Sequence, residues 1–117
     1  MNRGTIVEVR ELFFNTPVRR KFLKSDTTEF RQILNVFLPY TLCFHNIEFH
    51  LKHNKREIFY LPICDIEERI KKITGINPDD LIISEKEFEN FSVKFLLGNI
   101  NVQRPRRDIQ FLYVNKR

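Results

Sequence analysis

Ile47-Glu48-Phe49-His50-Leu51-Lys52-His53-Asn54-Lys55-Arg56-Glu57-Ile58-Phe59-Tyr60-Leu61 is the stretch that sorts this chain among fold classes. Ile47, Phe49 and Leu51 alternate with Glu48, His50 and Lys52, the period-2 pattern of a half-buried strand. His53-Asn54-Lys55 is a polar turn and residues 58–61 return the chain, so 47–61 reads as a β-hairpin. A helix signal follows at once. Asp65 with Glu68 three residues later is a capping pattern, Ile66, Ile70 and Ile73 line one face, and Gly75 supplies the stop. Beyond the turn Asn77-Pro78-Asp79-Asp80, residues 81–85 and 92–97 read as two further strands joined near Glu89-Asn90. Strands that cluster, rather than alternate strictly with helices, predict an α+β fold.

Upstream, Thr5-Ile6-Val7-Glu8-Val9-Arg10 alternates and is β-branched, which predicts a strand. Asn15-Thr16-Pro17 is a helix-start signal, because Pro fits the first helical position, and predicts a short helix over 18–23. Phe13 and Phe22 are placed to pack the corner between that strand and that helix. Asp26 with Glu29 repeats the capping pattern ahead of Phe30, Ile33, Leu34 and Phe37, one face of an amphipathic helix. Pro39 falls inside that pattern, and the apolar Leu42 and Phe44 beyond it favour a kink over a stop. Residues 109–114 predict a last strand, and Asn115 begins a turn that the chain does not complete.

A chain of 117 residues and 14.2 kDa, 42% hydrophobic, is sized for one ordinary domain. Its 12 Phe and 3 Tyr exclude a disordered chain. No apolar run approaches the roughly 20 residues of a membrane helix, and no signal peptide is visible. Cys43 and Cys64 make neither a disulfide framework nor a four-thiolate zinc site and read as buried free thiols. Three glycines (Gly4, Gly75, Gly98) exclude a P-loop or a dinucleotide fingerprint. His45, His50 and His53 lack a completing ligand, so no metal site is expected, and no nucleophile–base arrangement stands out.

The net charge of +5 is unevenly placed: +4 over residues 1–24, −3 over 25–98 and +4 over 99–117. Two basic ends on an acidic middle suggest a phosphate-facing surface. Without interleaved aromatic residues it is not a platform for stacking single-stranded bases.

One segment is more specific. Gly4-Thr5-Ile6-Val7-Glu8-Val9-Arg10-Glu11-Leu12-Phe13-Phe14-Asn15-Thr16-Pro17-Val18-Arg19-Arg20-Lys21-Phe22-Leu23 closely resembles the MutL mismatch-repair signature G-T-x-V-x-V-x-x-L-F-x-N-T-P-A-R-x-K-F-L, departing clearly only at Val18. Its family-matching positions include Leu12, Phe13, Asn15, Thr16, Pro17, Arg19, Lys21 and Phe22. A looser match lies at the other end, where Arg104, Arg107, Gln110 and Tyr113-Val114-Asn115-Lys116-Arg117 resemble R-x-x-R-x-x-Q-x-x-[FY]-V-N-G-R, with Lys116 in place of Gly.

The resemblance implies a fragment of a larger protein. Residues 1–24 would be the last motif of an ATPase domain of the gyrase, Hsp90, histidine-kinase and MutL (GHKL) type, with its linking segment. Residues 25–117 would be a transducer domain truncated at its C-terminal end, a partial two-layer sheet-and-helix domain resembling the left-handed βαβ fold of gyrase and MutL. Gly4 and Thr5 would support the nucleotide from behind in the parent. ATP and Mg²⁺ are implied for that parent, and no cofactor for this chain, which lacks a helical E-x-x-x-N motif, D-x-G-x-G and G-F-R-G-E-A-L. The chain itself is therefore expected not to be an enzyme. The resemblance further implies a cytoplasmic homodimer without membrane association, engaging mismatch-recognition and other repair proteins. It would bind DNA non-specifically through phosphates, with Arg19, Arg20, Lys24, Arg104 and Arg107 as contact candidates. The implied role is coupling ATP-dependent dimerisation to DNA and partner engagement. Two alternatives are a stand-alone small basic nucleic-acid-binding domain of similar fold and a protein-interaction module.

Overall fold

The structure, a computed structural model, describes residues 3–103, 105 and 109–117. It is α+β, with three α-helices, two short 3₁₀ turns and four strands among the described residues. Two compact units divide at Asn35 and Val36. Helix α1 spans Pro17–Lys21 and α2 spans Asp26–Cys43. Strands β1 (Phe49–His53) and β2 (Arg56–Leu61) form one antiparallel hairpin, and β3 (Leu81–Glu87) and β4 (Ser92–Gly98) another. Helix α3, Ile66–Thr74, lies between the hairpins in sequence.

The local signals at α3 act as read. The Asp65 side chain accepts from the Glu68 amide at 3.0 Å, and Gly75 closes the helix at φ +75°, where the left-handed backbone suits a residue without Cβ. The first hairpin turns on Asn54 and Lys55, both at positive φ (50° and 66°), the geometry that two-residue hairpins favour. Its register slips between Leu51 and Lys52, leaving Phe49, Leu51 and Phe59 half-buried and His50, Lys52 and Tyr60 exposed. Phe37 of α2 meets Phe49 edge-on at 5.9 Å, so one helix face and one hairpin face share apolar surface.

Several expectations are corrected. Residues 5–10 form no strand: Ile6, Val7 and Val9 stand 96%, 82% and 70% exposed, because the alternating pattern meets no partner strand among the described residues. Residues 109–114 form no strand for the same reason. The helix cap at α2 is Ser25 rather than Asp26. The Glu29 amide donates to the Ser25 carbonyl at 2.9 Å, which leaves Asp26 inside the first turn, and Glu29 Oε1 accepts from the Lys24 amide at 2.8 Å. Ile33 lies off the packed face, 53% exposed, while Phe30, Leu34, Phe37 and Leu38 are half-buried and Thr41 and Leu42 buried. The helix continues through Pro39. Cys43 and Cys64 are free but only partly buried.

The C-terminal turn is complete. Val114 and Arg117 exchange both backbone hydrogen bonds, at 2.9 and 3.1 Å, around Asn115 and Lys116 at φ 51° and 62°. Lys116 therefore adopts the left-handed conformation that the matching Gly of the family motif would adopt more easily.

The apolar core of the second unit is small: Leu42, Leu61 and Ile70 are its buried hydrophobic residues among those described. Thr41 and Arg69 are buried with them, both 0% exposed. Thr41 Oγ1 donates back to the Leu38 carbonyl at 2.8 Å, a local bond that removes a buried donor's need for water.

Candidate nucleic-acid interface

The basic run is built by the sequence around Pro17. Leu12-Phe13-Phe14 folds into a tight turn, with the Phe14 amide donating to the Glu11 carbonyl at 3.0 Å and the Thr16 amide to the Phe13 carbonyl at 3.1 Å. Glu11 and Phe13 stand at φ 46° and 63°, conformations that cost a non-glycine residue roughly 1–2 kcal/mol each. Thr16 occupies the N-cap position and Pro17 the first helical one, yet the Thr16 hydroxyl is buried without a hydrogen-bond partner among the described residues. Pro17, not a side-chain cap, starts this helix.

Arg19, Arg20 and Lys21 fill the last turn of α1, where positive charge complements the negative end of the helix dipole. All three are exposed, as is Lys24. The Arg19 guanidinium lies 6.0 Å from the Phe13 ring centroid, a cation–π contact made while the residue as a whole stays exposed. Among the described residues no carboxylate ion-pairs with Arg19, Arg20, Lys21 or Lys24, whereas Arg10 is engaged by Glu8 at 2.7 Å. Four cations within six residues of chain, none ion-paired among the described residues, form an electropositive strip. Arg104 and Arg107 lie outside the described residues. Lys116 and Arg117 are exposed at the C-terminal turn.

The remaining signature residues do less here than the motif suggests. Phe22 does not pack a strand–helix corner with Phe13; it is 81% exposed, because the segment that would make the corner forms no strand. Leu12, Phe14 and Val18 are exposed too, and Asn15 is a solvent-facing turn residue. Gly4 and Thr5 are exposed and outside any element, and nothing lies within 4 Å of where a Gly4 Cβ would stand. That open setting gives a nucleotide no cradle built from Gly4 and Thr5 alone. Among the described residues there is no cluster of three His, Cys, Asp or Glu able to hold a metal, and no helix long and apolar enough to cross a membrane.

No protein-family model matches the chain. Individual proteins do. It is 37% identical to the DNA mismatch repair protein MutL of Christiangramia forsetii over 116 residues, 98% of this chain and 19% of that protein. It is 38% identical to MutL of Parabacteroides distasonis over 117 residues, 99% of this chain and 19% of that one. The chain belongs to the MutL family. It spans about a fifth of the length of the curated relatives it matches. Among solved structures it resembles the Aquifex aeolicus MutL ATPase domain complexed with ADP, at TM-score 0.55 and 38% identity, over 66% of this chain and 30% of that one. The α+β chain with its small antiparallel sheets thus has a MutL ATPase domain as a structural neighbour.

Sequence reading missed one residue of this MutL-family chain that the structure makes prominent. Arg69 sits beside the isoleucine face of α3, and an arginine amid Glu67, Glu68, Lys71 and Lys72 reads as one more exposed charge. It is instead fully buried. A local signal is lacking, because its partners lie as far as 28 residues away in sequence.

Proposed function

We propose that this chain is the part of a MutL-type protein that joins the end of the ATPase domain to the transducer domain, with the boundary between residues 24 and 25. In the whole protein it couples ATP-dependent dimerisation to engagement of DNA and repair partners. The supporting observation is identity of 37–38% to MutL over nearly the whole chain, on a segment that covers only a fifth of those proteins. The exposed apolar side chains of residues 6–22 fit the reading, since a segment that normally packs against a larger domain would present such a surface.

In this reading the chain alone does not hydrolyse ATP. Hydrolysis needs a general base, a Mg²⁺-holding side chain and a phosphate-cradling lid held together, and the sequence lacks the family motifs that carry them. Gly4 and Thr5 would support the nucleotide only when the upstream domain supplies the pocket. Arg19, Arg20 and Lys24, with Arg104 and Arg107, would contact DNA phosphates, positioning the duplex without reading its sequence.

The test is DNA binding by the longer gene product, as wild type and with Arg19→Glu and Arg20→Glu combined. The variant should bind duplexes of any sequence more weakly, and its dependence of log affinity on log salt should be shallower by about 1 for each phosphate that is no longer neutralised. Nucleotide-driven dimerisation should persist. An unchanged salt slope would remove these arginines from the interface, and affinity insensitive to salt in the wild type would favour the protein-interaction alternative.

A further inference from the structure

Helix α3 carries an arginine to a place that solvent does not reach, and what surrounds it there is backbone. Arg69 Nη1 donates to the Thr41 carbonyl at 3.1 Å. Nη2 faces the carbonyls of His45 at 3.2 Å, Ile47 at 3.0 Å, Pro62 at 2.7 Å and Leu61 at 3.5 Å. Nε points at Cys64 Sγ, 3.5 Å away, and the Phe49 ring centroid lies 5.7 Å from the guanidinium carbon.

Among the described residues the ion pairs are Arg10–Glu8, His50–Glu57 and Lys72–Glu68, so no carboxylate neutralises Arg69. A buried charge without a countercharge is costly unless dipoles replace its hydration. Here five carbonyl oxygens do so, as rings of backbone carbonyls do for bare cations. They come from three stretches: the end of α2, the turn before β1, and the end of β2 with the residue after it.

We propose that the second unit is folded around a carbonyl-lined site for a guanidinium ion, filled from within the chain by Arg69. The site holds the end of α2, the hairpin and α3 in register where the apolar core is too small to do so. Its ligand class is a planar, multi-donor cation. Positive charge alone does not satisfy it, because a lysine ammonium presents three donors from one atom and cannot reach acceptors spread around the edge of a planar fork, one set at Nη1 and another at Nη2. An apolar stem alone does not satisfy it either, because the carbonyls would be left buried and unpaired.

The experiment is urea unfolding of the 117-residue chain as wild type, Arg69→Ala, Arg69→Lys and Arg69→Met, each with millimolar ethylguanidinium chloride or with potassium chloride at matched ionic strength. All three variants should unfold at lower urea than wild type. Ethylguanidinium should raise the midpoint of Arg69→Ala, recovering at least half of the loss, while leaving wild type and Arg69→Met unmoved or lower. If Arg69→Ala is unfolded without urea, ethylguanidinium should restore its folded circular dichroism. A wild-type midpoint for Arg69→Met, wild-type stability for Arg69→Lys, or equal rescue by potassium would each overturn the proposal. The wild-type chain offers a check that needs no variant. The Arg69 Nη protons should give separate, slowly exchanging resonances in nitrogen-edited NMR spectra, and one averaged, rapidly exchanging signal would contradict the site.

Discussion

Tyr113 shows how one side chain can tie a segment without secondary structure to a helix. Its hydroxyl donates to the Pro39 carbonyl at 2.5 Å, within α2. Burial, with a smaller contribution from the nearby Cys43 thiol, pushes its phenol up to about 12. In the unfolded chain the phenol titrates near its ordinary value of 10.0. Between those values the folded chain keeps a proton that the unfolded chain has released. The stabilisation from Tyr113 is therefore complete below about pH 10 and is lost as pH rises through about 12. Replacing Tyr113 with Phe should remove this alkaline dependence and cost about 1 kcal/mol at neutral pH, the usual net worth of one hydrogen bond. Denaturation midpoints across the alkaline range would show it, and equal slopes in the two proteins would contradict it. The sequence pointed to Tyr113 only as part of a motif. Its partner lies 74 residues away, a distance at which local pattern carries no information. Arg69 was hidden for the same reason.

At the scale of elements, what the sequence revealed is what local chemistry determines. Asp65 and Gly75 bracket α3 as read, and both hairpins stand where alternation placed them, because caps, turns and adjacent strands need only neighbouring residues. Residues 5–10 and 109–114 carry strand patterns without forming strands, because a strand is completed by a partner and the pattern does not say which. Gly75→Ala should destabilise the chain by about 1 kcal/mol. The added Cβ meets nothing within 4 Å, so the penalty comes from φ +75° alone. A thermal melt would measure it, and a variant as stable as wild type would show that α3 ends differently.

The second hairpin has a comparable local tie. Asn101 Nδ2 and Asn99 Nδ2 both donate to Asp80 Oδ1, at 3.1 and 3.0 Å, joining its two ends. These bonds, Asn101 first, hold the Asp80 carboxyl below its ordinary 3.8. Their stabilisation is present above that value and is lost as pH falls through the lower folded one. Asn101→Ala should bring the Asp80 titration, followed by carbon-detected NMR, back up toward the ordinary value. An unmoved titration would contradict the assignment of cause.

At the scale of the whole molecule, the family was legible because its signature is contiguous in sequence. The candidate interface was legible in part: Arg19, Arg20 and Lys24 are exposed and make no ion pair among the described residues, but charge alone does not say what they meet. Ile6, Phe22, Ile100 and Leu112 are each more than 80% exposed, and a monomer seldom leaves so much apolar side chain in water. The isolated chain should therefore self-associate at micromolar concentration. Sedimentation velocity would show species heavier than 14.2 kDa, whereas a sharp monomer at all concentrations would contradict the prediction.

The central claim is that this chain works as one part of a larger MutL-type ATPase, and the mass of the native gene product tests it most directly. An antibody against the 117-residue chain should detect in its own cells a protein several times 14.2 kDa, since the chain spans about a fifth of its relatives. A native product near 14.2 kDa would contradict that claim and make the basic strip of α1 the property of a free-standing nucleic-acid-binding domain.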